Sequence, residues 1–356
     1  MKRSLLLLLV FSSLVTACGL NGSHAVSLPT PDRYRLEPGE LLLAATEDSI
    51  PAIFAEEHLF VSPEMGDREW DDREPVIGIL LGGEARAYPV RLLSHHEVVN
   101  DLVGGEPVAV TWCPLCYSAI VFDREVEGRV LTFGVSGYLL KDNLVLYDHQ
   151  SNTLWSQLLS QAVKGAYSGT RLEIQPSSLT TWGFWKENYP GTRVLSARAL
   201  EIYEGEIKDP YAGYYTSGVS GFSSSEEPDQ RLQGKSLVAG LAAGDEARAY
   251  PLETVQDQGV INDFWFGQRL AAAYDSEGQT LELFRSTAAG RQLTFRLAAG
   301  SGEMVDLETR STWDLRSGTA VRGRLRGERL ERINAPLVFW FAWSALHPDT
   351  DVYGMP

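Results

Sequence analysis

The chain has 356 residues, which is enough for two ordinary domains with hydrophobic cores of their own. Its formal net charge is −16, from 47 acidic and 31 basic residues, and such a surface argues against nucleic acid or anionic lipid as a partner. Only three cysteines are present, so a disulfide framework is excluded as the basis of the fold.

Residues 1–17 have the pattern of a secretory signal peptide. Two basic residues are followed by an apolar run rich in leucine, and small residues lead up to Cys18. The four residues that end at Cys18 resemble the bacterial lipobox, in which the cysteine is lipidated and becomes the mature N-terminus. The alternative is ordinary cleavage before Cys18 without a lipid. We therefore expect residues 18–46 to be a lipidated N-terminus and tether.

No later run is long enough to cross a bilayer, so we expect the rest of the chain to lie outside the cytoplasm. Lipidation of Cys18 would place the protein in the cell envelope, anchored on the periplasmic or outer side of a bacterial membrane. The membrane is then a predicted partner through the N-terminal lipid.

The elements after the tether are mostly predicted strands. Val76–Leu81 and Glu84–Pro89 flank Gly82-Gly83 and predict a β-hairpin. Residues 91–101 predict a short helix or turn that carries His95 and His96. Further strands are predicted at 108–112, 118–122, 130–135 and 143–147, and a short aromatic helix is predicted at 179–188.

The same order of sequence returns 162 residues later. Glu84–Pro89 recurs letter for letter as Glu246–Pro251. After a four-residue deletion the offset becomes 158, and Trp155 then matches Trp313. Matches at fixed offsets predict two tandem copies of one β-rich unit, so the expected fold class is mainly β with short helices.

The predicted boundaries follow from these matches. The first copy covers residues 47–200, a connector covers 201–234, and a second, degenerate copy covers 235–356. The connector contains Tyr211, Tyr214 and Tyr215, and so many aromatic residues predict that it packs onto a domain rather than forming a free linker.

Residues present in both copies are first assigned to architecture. Asn100-Asp101 and Asn262-Asp263 are such a pair, and we interpret both as turn caps. The residues that only the first copy contains are the functional candidates: His95, His96, Glu97, Cys113, Cys116 and His149, which face Asp257, Gln258, Gly259, Asp275, Gly278 and Leu307.

The second copy also indicates where the cysteines lie. Asp275-Ser-Glu-Gly278 separates two strand patterns, with Asp and Gly in turn positions. Cys113-Pro-Leu-Cys116 should occupy the equivalent hairpin tip, where its two sulfurs would converge. In a thioredoxin fold the first cysteine would instead begin a helix, and the strand pattern after Cys116 argues against this.

Two thiolates supply half of a tetrahedral metal site. We expect Cys113, Cys116 and His96 to be ligands, with His95 as the alternate to His96 and His149 as a fourth ligand. Glu97 or Asp148 would orient an imidazole. The expected cofactor is a transition metal, copper or zinc. A redox-active cysteine pair and an inert disulfide across the turn stay open as alternatives.

Several motifs resemble one bacterial and archaeal family, the domain of unknown function 3179. They are His96-Glu-Val-Val-Asn-Asp101, Thr111-Trp-Cys-Pro-Leu-Cys116, Leu131-Thr-Phe-Gly134 and Tyr147-Asp148 with Ser151 and Leu154-Trp-Ser-Gln157. The resemblance covers most of the mature chain and implies an exported or membrane-attached protein without an assigned reaction. The position of His149 often resembles arginine in that family, which leaves Cys113, Cys116 and His96 as the core of the site.

These observations predict an extracytoplasmic lipoprotein that binds copper or zinc through its Cys-X-X-Cys and histidine residues. A thiol- or metal-dependent oxidoreductase is the first alternative. An interaction scaffold with a disulfide-stapled turn is the second. The sequence contains no nucleophile–base pair or phosphate-binding loop that would identify a substrate.

Overall fold

The structure is a computed structural model that describes residues 31–203, 205–222, 229–298 and 302–355. Strands account for 43% of the chain and helices for 12%, so the mainly β class with short helices is confirmed. No helix in these ranges is long and apolar enough to span a membrane. The predicted signal peptide and Cys18 lie outside the described residues.

The strands up to residue 200, which we call the first half, are β1 (Leu41–Leu43), β2 (Ile53–Phe54), β3 (Phe60–Val61), β4 (Pro75–Leu81), β5 (Glu84–Pro89), β6 (Val98–Val103), β7 (Glu106–Cys113), β8 (Ser118–Asp123), β9 (Glu125–Val126), β10 (Arg129–Val130), β11 (Phe133–Leu140), β12 (Asn143–Asp148), β13 (Leu154–Ser156), β14 (Gln161–Lys164), β15 (Ile174–Gln175), β16 (Ser177–Thr181) and β17 (Arg193–Leu195).

The strands from residue 235 onward, which we call the second half, are β18 (Leu237–Ala243), β19 (Glu246–Pro251), β20 (Val260–Trp265), β21 (Gln268–Asp275), β22 (Thr280–Arg285), β23 (Thr287–Ala288), β24 (Arg291–Gln292), β25 (Phe295–Leu297), β26 (Glu303–Asp306), β27 (Thr312–Asp314), β28 (Ala320–Arg322), β29 (Glu331–Ile333), β30 (Leu337–Phe339) and β31 (Asp351–Val352).

The helices are short: α1 (Pro63–Gly66), α2 (Val90–Leu93), α3 (Trp182–Asn188), α4 (Ala212–Thr216), α5 (Leu252–Gln258) and α6 (Trp340–Leu346), with one 3₁₀ turn at Glu57–Leu59.

Most of the predicted strands are confirmed. The hairpin around Gly82-Gly83 is β4–β5, and β7, β8 and β12 lie where the alternating pattern placed them. The predicted strand over 130–135 is interrupted between β10 and β11, because the N–H of Leu131 donates to the carbonyl of Arg124 instead of to a neighbouring strand.

Two predicted helices are partly wrong. Residues 91–101 do not form one helix or turn, because α2 ends at Leu93 and β6 begins at Val98, where it pairs with β7. The aromatic helix begins at Trp182 instead of residue 179, because Leu179 lies opposite Ile77 and extends the sheet of β4. In both places pairing with an existing sheet edge replaces a helical turn.

Each half contains three larger sheets in the same order, besides one two-stranded sheet (β9–β10 in the first half and β23–β24 in the second). The first half has β16-β4-β5-β17-β3, β15-β8-β7-β6-β2 and β1-β11-β12-β13-β14, and the second has β30-β18-β19-β31, β20-β21-β22-β29 and β25-β26-β27-β28. The registers correspond as well, since Val76 lies opposite Pro89 and Val238 lies opposite Pro251. The duplication stays a prediction, but equivalent positions can be compared directly.

The shared Asn-Asp pair has an architectural role, although the predicted turn caps are wrong. Asn100 lies in β6, where its amide donates to the carbonyl of Phe133 at 2.8 Å and accepts from its N–H at 2.8 Å. Asn262 makes the same two bonds in the second half. Nη1 of Arg86 donates to both carboxylate oxygens of Asp101, at 2.8 and 2.9 Å. The pair therefore ties neighbouring strands together.

The two halves share a hydrophobic core. One cluster contains both cysteines and the third sheet of the first half, together with Trp340 and Trp343 of α6. The α6 helix packs tightly on its sheet, because a Cβ on Gly240 would overlap the ring of Trp343. Gly78 meets Trp185 in the same way in the first half. The cysteine hairpin thus lies where the halves meet.

Candidate functional site

The cysteines lie at the tip of the β7–β8 hairpin, as predicted. Cys113 ends β7, Ser118 begins β8, and the two residues lie opposite each other. Tyr117 closes the four-residue loop with φ +55°, and Gln279 closes the equivalent loop of the second half with φ +50°. Cys113 therefore ends a strand rather than beginning a helix, and both thiols of the loop are free.

Cys113 lies among hydrogen-bond donors. Burial acts to raise the pKa of its thiol, but donation from the Cys116 thiol and from the backbone N–H groups of Cys116, Leu144 and Leu115 outweighs burial. The pKa of Cys113 is lowered as a result, because these donors stabilise the charged sulfur. The arrangement favours a thiolate at this position.

The second half places a carboxylate at the same position. Oδ1 of Asp275 accepts from the N–H of Glu277 at 2.9 Å and of Gly278 at 3.4 Å. These two residues are the equivalents of Leu115 and Cys116. The loop therefore presents converging N–H groups to an acidic side chain in both halves, which is the geometry of a small anion-binding nest.

Cys116 has the opposite character. Burial, and then the neighbouring Cys113, raise the pKa of its thiol well above the ordinary value. Its sulfur lies 3.1 Å from the carbonyl oxygen of Asp142, which is a second acceptor available to the one thiol proton besides Cys113, and Nδ2 of Asn143 lies 3.7 Å from the sulfur. The carbonyl is presented by the tight turn Lys141-Asp142, where both residues have positive φ. Cys116 is thus held as a neutral thiol.

Glu97 is a buried carboxyl group close to Cys113. It is 7% exposed, and burial together with the charge of Cys113 raises its pKa well above the ordinary value. Its φ of +58° is in the left-handed region, where Gly259 lies in the second half. The N–H of Trp112 donates to the Glu97 carbonyl at 2.8 Å, which fixes the residue beside the end of β7. The carboxyl group of Glu97 therefore favours its neutral, protonated form beside Cys113.

His96 is held by hydrogen bonds at both ring nitrogens. Nδ1 donates to the carbonyl of Pro51 at 2.7 Å, and Nε2 accepts from the Tyr203 hydroxyl at 2.5 Å. Burial lowers the pKa of His96, so the ring is neutral at neutral pH. A metal ion at Nε2 would have to displace Tyr203. The alternate candidate, His95, donates to the carbonyl of Lys208 at 2.7 Å.

The structure does not bring His149 to the cysteines. Cys116 contacts Asp142 at the start of β12, whereas His149 follows the end of β12. Six residues of extended strand separate the two ends of β12 by roughly 20 Å. The ring of His149 is exposed and lies 4.9 Å from that of Tyr147. The predicted fourth ligand is therefore wrong for a site at the hairpin, because an extended strand holds the two positions apart.

Asp148 also has a different role from the predicted one. Its carboxylate accepts from the N–H of Ser151 at 2.6 Å, the N–H of Thr153 at 3.2 Å and Nε1 of Trp155 at 3.0 Å. Asp306 of the second half accepts from the corresponding groups. Asp148 therefore caps a turn, and it does not orient an imidazole because its oxygens already have these donors.

In the part of the chain that the structure describes, no three His, Cys, Asp or Glu side chains form a cluster that could hold a metal ion. The Cys113 and Cys116 sulfurs do lie in contact, and the charge of Cys113 acts on the buried Glu97 carboxyl. These groups can carry out thiol–disulfide exchange, with Cys113 as the nucleophile and Cys116 as the second thiol.

Sequence comparison missed a polar network behind the hairpin. Gln157 is fully buried; its Nε2 donates to Thr111 Oγ1 at 3.0 Å, and its Oε1 accepts from Ser118 Oγ at 2.8 Å and from Asn143 Nδ2 at 3.0 Å. In the second half Gln157 is replaced by Leu315. Comparison of the two halves could have identified Gln157 as a candidate by this replacement with an apolar residue.

The connector covers the cysteines. We call residues 207–222 the cover segment. The Tyr214 hydroxyl donates to the carbonyl of Leu115 at 2.9 Å and accepts from the N–H of Gly221 at 3.0 Å. Tyr211 and Tyr214 pack on the cluster that contains the cysteines, so packing of the connector tyrosines is confirmed. Cys113 is 2% exposed and Cys116 is not exposed.

The second half supplies another wall of the site. The N–H of Phe339 donates to the carbonyl of Cys116 at 2.8 Å, and its ring lies 5.4 Å from that of Tyr117. The reverse contact exists as well, since Thr180 Oγ1 of the first half donates to the carbonyl of Gly278 at 2.6 Å. Each half thus closes the hairpin tip of the other.

Together these features define a class of protein, a β-rich fold with a buried Cys-X-X-Cys hairpin and a neighbouring acid. The family described as Protein of unknown function (DUF3179) matches residues 47–350. The chain belongs to this family, as its motifs predicted. Neither a curated protein nor a solved structure matches the chain.

Proposed function

We propose that the protein is an extracytoplasmic oxidoreductase that exchanges electrons between its Cys113–Cys116 dithiol and a disulfide of a partner. One observation carries the proposal. The Cys113 sulfur lies among N–H groups of its hairpin loop, and the equivalent loop of the second half uses its N–H groups to bind the Asp275 carboxylate. A position built for an anion makes the thiolate of Cys113 available as a nucleophile.

In the first step the Cys113 thiolate attacks one sulfur of the partner disulfide. A mixed disulfide forms, the partner's sulfur–sulfur bond breaks, and the second partner sulfur leaves as a thiolate. Burial is the larger cause of the raised pKa of Glu97, and loss of charge on Cys113 removes the second cause, the repulsion between the two groups. Glu97 then releases its proton more readily, and the proton neutralises the leaving thiolate.

In the second step Cys116 loses its proton and attacks the Cys113 sulfur. The intramolecular disulfide forms and the remaining partner sulfur is released, so the dithiol is oxidised by two electrons and the partner disulfide is reduced to two thiols. The Cys116 proton balances the charge of that second thiolate. The reverse sequence would oxidise a partner dithiol, and the same residues serve either direction.

Trapping of the mixed disulfide tests the proposal. Reduced Cys116→Ser protein, incubated with oxidised glutathione, should retain one glutathione on Cys113, because the thiol that would release it is missing. The matched Cys113→Ser variant should retain none, since Cys116 has a raised pKa. Mass spectrometry of the intact chain measures both. Equal adducts on the two variants, or no adduct on either, would refute the proposed roles.

Binding of a soft metal ion by the same two sulfurs is the second candidate. Its support is the contact between a thiolate and a second thiol, because sulfur ligands favour Cu(I). Zinc would need further ligands for a tetrahedral site, and His96, the third ligand that the sequence predicts, would have to release Tyr203 to bind it. Elemental analysis of protein purified without oxygen distinguishes this candidate: one copper per chain that Cys113→Ser loses would support it.

We also propose that the protein acts at the cell envelope as a lipoprotein. The support is the lipobox-like sequence that ends at Cys18. In that compartment disulfides form and persist, so an exchange partner of the proposed chemistry would be available there. The membrane would be a partner only through the lipid.

A further inference from the structure

The halves meet at two equivalent places. At the first junction the Cys113–Cys116 hairpin tip meets the second half, and at the second junction the Asp275–Gly278 hairpin tip meets the first half. A charged cavity lies at the second junction. It has a volume of about 160 Å³ and is lined from one side by Tyr189 and from the other by Glu282, Asp314, Arg316 and Arg332. Glu282 is 3% exposed. About 10–15 Å³ of this kind of space is enough to hold one water molecule, so the cavity has room for several waters or for a small ligand.

The equivalent positions at the first junction are apolar. Arg332 corresponds to Ile174. Arg332 lies opposite Phe284 in the β22–β29 pair, and Ile174 lies opposite Phe122 in the equivalent β8–β15 pair. Glu282 corresponds to Ile120 in the same strands, and Arg316 corresponds to Leu158. Ile120 and Leu158 belong to the shared hydrophobic core.

This difference matters because burying charges is costly. A buried ion pair often contributes less stability than apolar residues of similar volume. The chain itself closes one junction with aliphatic side chains, so folding does not require charges at this place. The charges at the second junction therefore need another explanation, and binding of a charged ligand provides one.

Several polar atoms at the cavity lack partners within the described ranges. Arg332 Nη2 donates to Ser177 and Ser178, whereas its Nη1 and the Tyr189 hydroxyl make no hydrogen bond there. Glu282 Oε2 lies 2.5 Å from Arg332 Nε as an ion pair, and its Oε1 accepts from Ser178 Oγ at 3.2 Å. The cavity thus offers two unused donors beside the carboxylate of Glu282.

We propose that this cavity binds a small zwitterion, namely a free amino acid with a small side chain. The carboxylate of the ligand would accept from Arg332 and Tyr189, and its ammonium group would donate to Glu282. This site is separate from the dithiol, and the proposal does not depend on the function proposed for the cysteines.

The test is thermal unfolding of the full chain with glycine, L-alanine or L-serine at about 10 mM. At least one of these should raise the unfolding temperature by about 3 °C or more, whereas acetate and methylamine, which each carry one of the two charges, should not. If no amino acid has an effect, the cavity holds only water and the proposal is wrong.

The matched variant is Glu282→Ile with Arg332→Ile, which copies the pair that the chain uses at the first junction. Without ligand it should unfold at the same temperature as the unmodified chain or higher, and it should lose the shift caused by the amino acid. A retained shift would overturn the proposal. Should this variant not fold, Tyr189→Phe takes its place, with loss of at least half of the shift expected and an unchanged shift contradicting the site.

Discussion

At the scale of single residues, Glu97 is the most informative position. A non-glycine residue in the left-handed conformation costs about 1–3 kcal/mol when the surroundings impose it. Gly259 also has a positive φ at the equivalent position of the second half, where glycine avoids this cost. The first half instead keeps a buried carboxyl group beside Cys113. Strain and burial at one residue favour a chemical role over a structural one.

Replacement of Glu97 by Gln should stabilise the protein at neutral pH. The folded state raises the pKa of Glu97. The neutral side chain therefore contributes stability below the pKa that Glu97 has in the unfolded chain, and this contribution is lost as pH rises through its pKa in the folded protein. Gln keeps the size and backbone of the residue but does not ionise. We expect its unfolding temperature to exceed that of the unmodified chain by about 2–4 °C at pH 8, as for a change of ~1 kcal/mol.

The pH dependence is the control for that prediction. Below about pH 4 both proteins carry a neutral side chain at position 97, so the difference in unfolding temperature should disappear. Calorimetry at several pH values measures it. A constant difference, or a less stable Gln variant at pH 8, would show that the carboxylate is not disfavoured in the fold.

The residues of the site were predictable to different degrees. Comparison of the halves identified Cys113, Cys116 and Glu97, because each differs in chemistry from its counterpart. His149 was selected by the same rule, but only the length of β12 shows that it lies far from the hairpin. Gln157 reaches the hairpin from more than 30 residues away, and sequence spacing does not encode such a contact.

At the scale of elements, the cover segment controls access to the cysteines. The Tyr214 hydroxyl ties α4 to the hairpin through Leu115, and the N–H of Phe222 donates to Asp142 at 2.9 Å. Both contacts are made to loops that also hold the sulfurs. In the proposed exchange a partner disulfide would reach Cys113 only when this segment moves away, so local opening would precede exchange.

Removal of the Tyr214 side chain should therefore increase the reactivity of the thiols. Tyr214→Phe loses two hydrogen bonds of about 1 kcal/mol each, and Tyr214→Ala also loses ring contacts. We expect iodoacetamide to modify Cys113 at least about tenfold faster in the Ala variant, with the Phe variant between it and the unmodified chain. The rate is followed by mass spectrometry.

The control is Tyr353→Ala, which removes an aromatic ring that stacks on Tyr250 in the second half. It should leave the rate of Cys113 modification unchanged. Equal rates in all four proteins would mean that the cover segment does not limit access.

The strands were predictable from the sequence where apolar and polar residues alternate strongly. The hairpin tip at Cys113–Cys116 was predictable because Asp275–Gly278 shows a turn at the equivalent place. The strand at Leu179 was not, since it forms by pairing with β4 about 100 residues earlier in the chain. Pairing over such distances depends on the whole sheet, which local patterns do not describe.

At the scale of the whole molecule, the site belongs to both halves. Phe339 and the shared core enclose the hairpin from the second half, so the second half is a structural partner of the first. The sequence predicted two units from fixed offsets. It did not predict that each closes the hairpin tip of the other, because contacts between units leave no periodic pattern.

The proposed lipid anchor is also a property of the whole molecule. Cys18→Ser removes the acceptor of the lipid while the rest of the chain stays unchanged. We expect the variant to leave the membrane fraction, and fractionation followed by immunoblotting measures this. A variant that stays with the membrane would contradict the anchor.

The proposed chemistry depends on the hairpin holding Cys113 as a thiolate. The most direct measurement is the rate at which iodoacetamide modifies Cys113 as a function of pH, in reduced protein that carries Tyr214→Ala for access. We expect a half-maximal rate below pH ~8.5, the ordinary value for a cysteine, because N–H donors stabilise the charged sulfur. A half-maximal rate at or above that pH would contradict it.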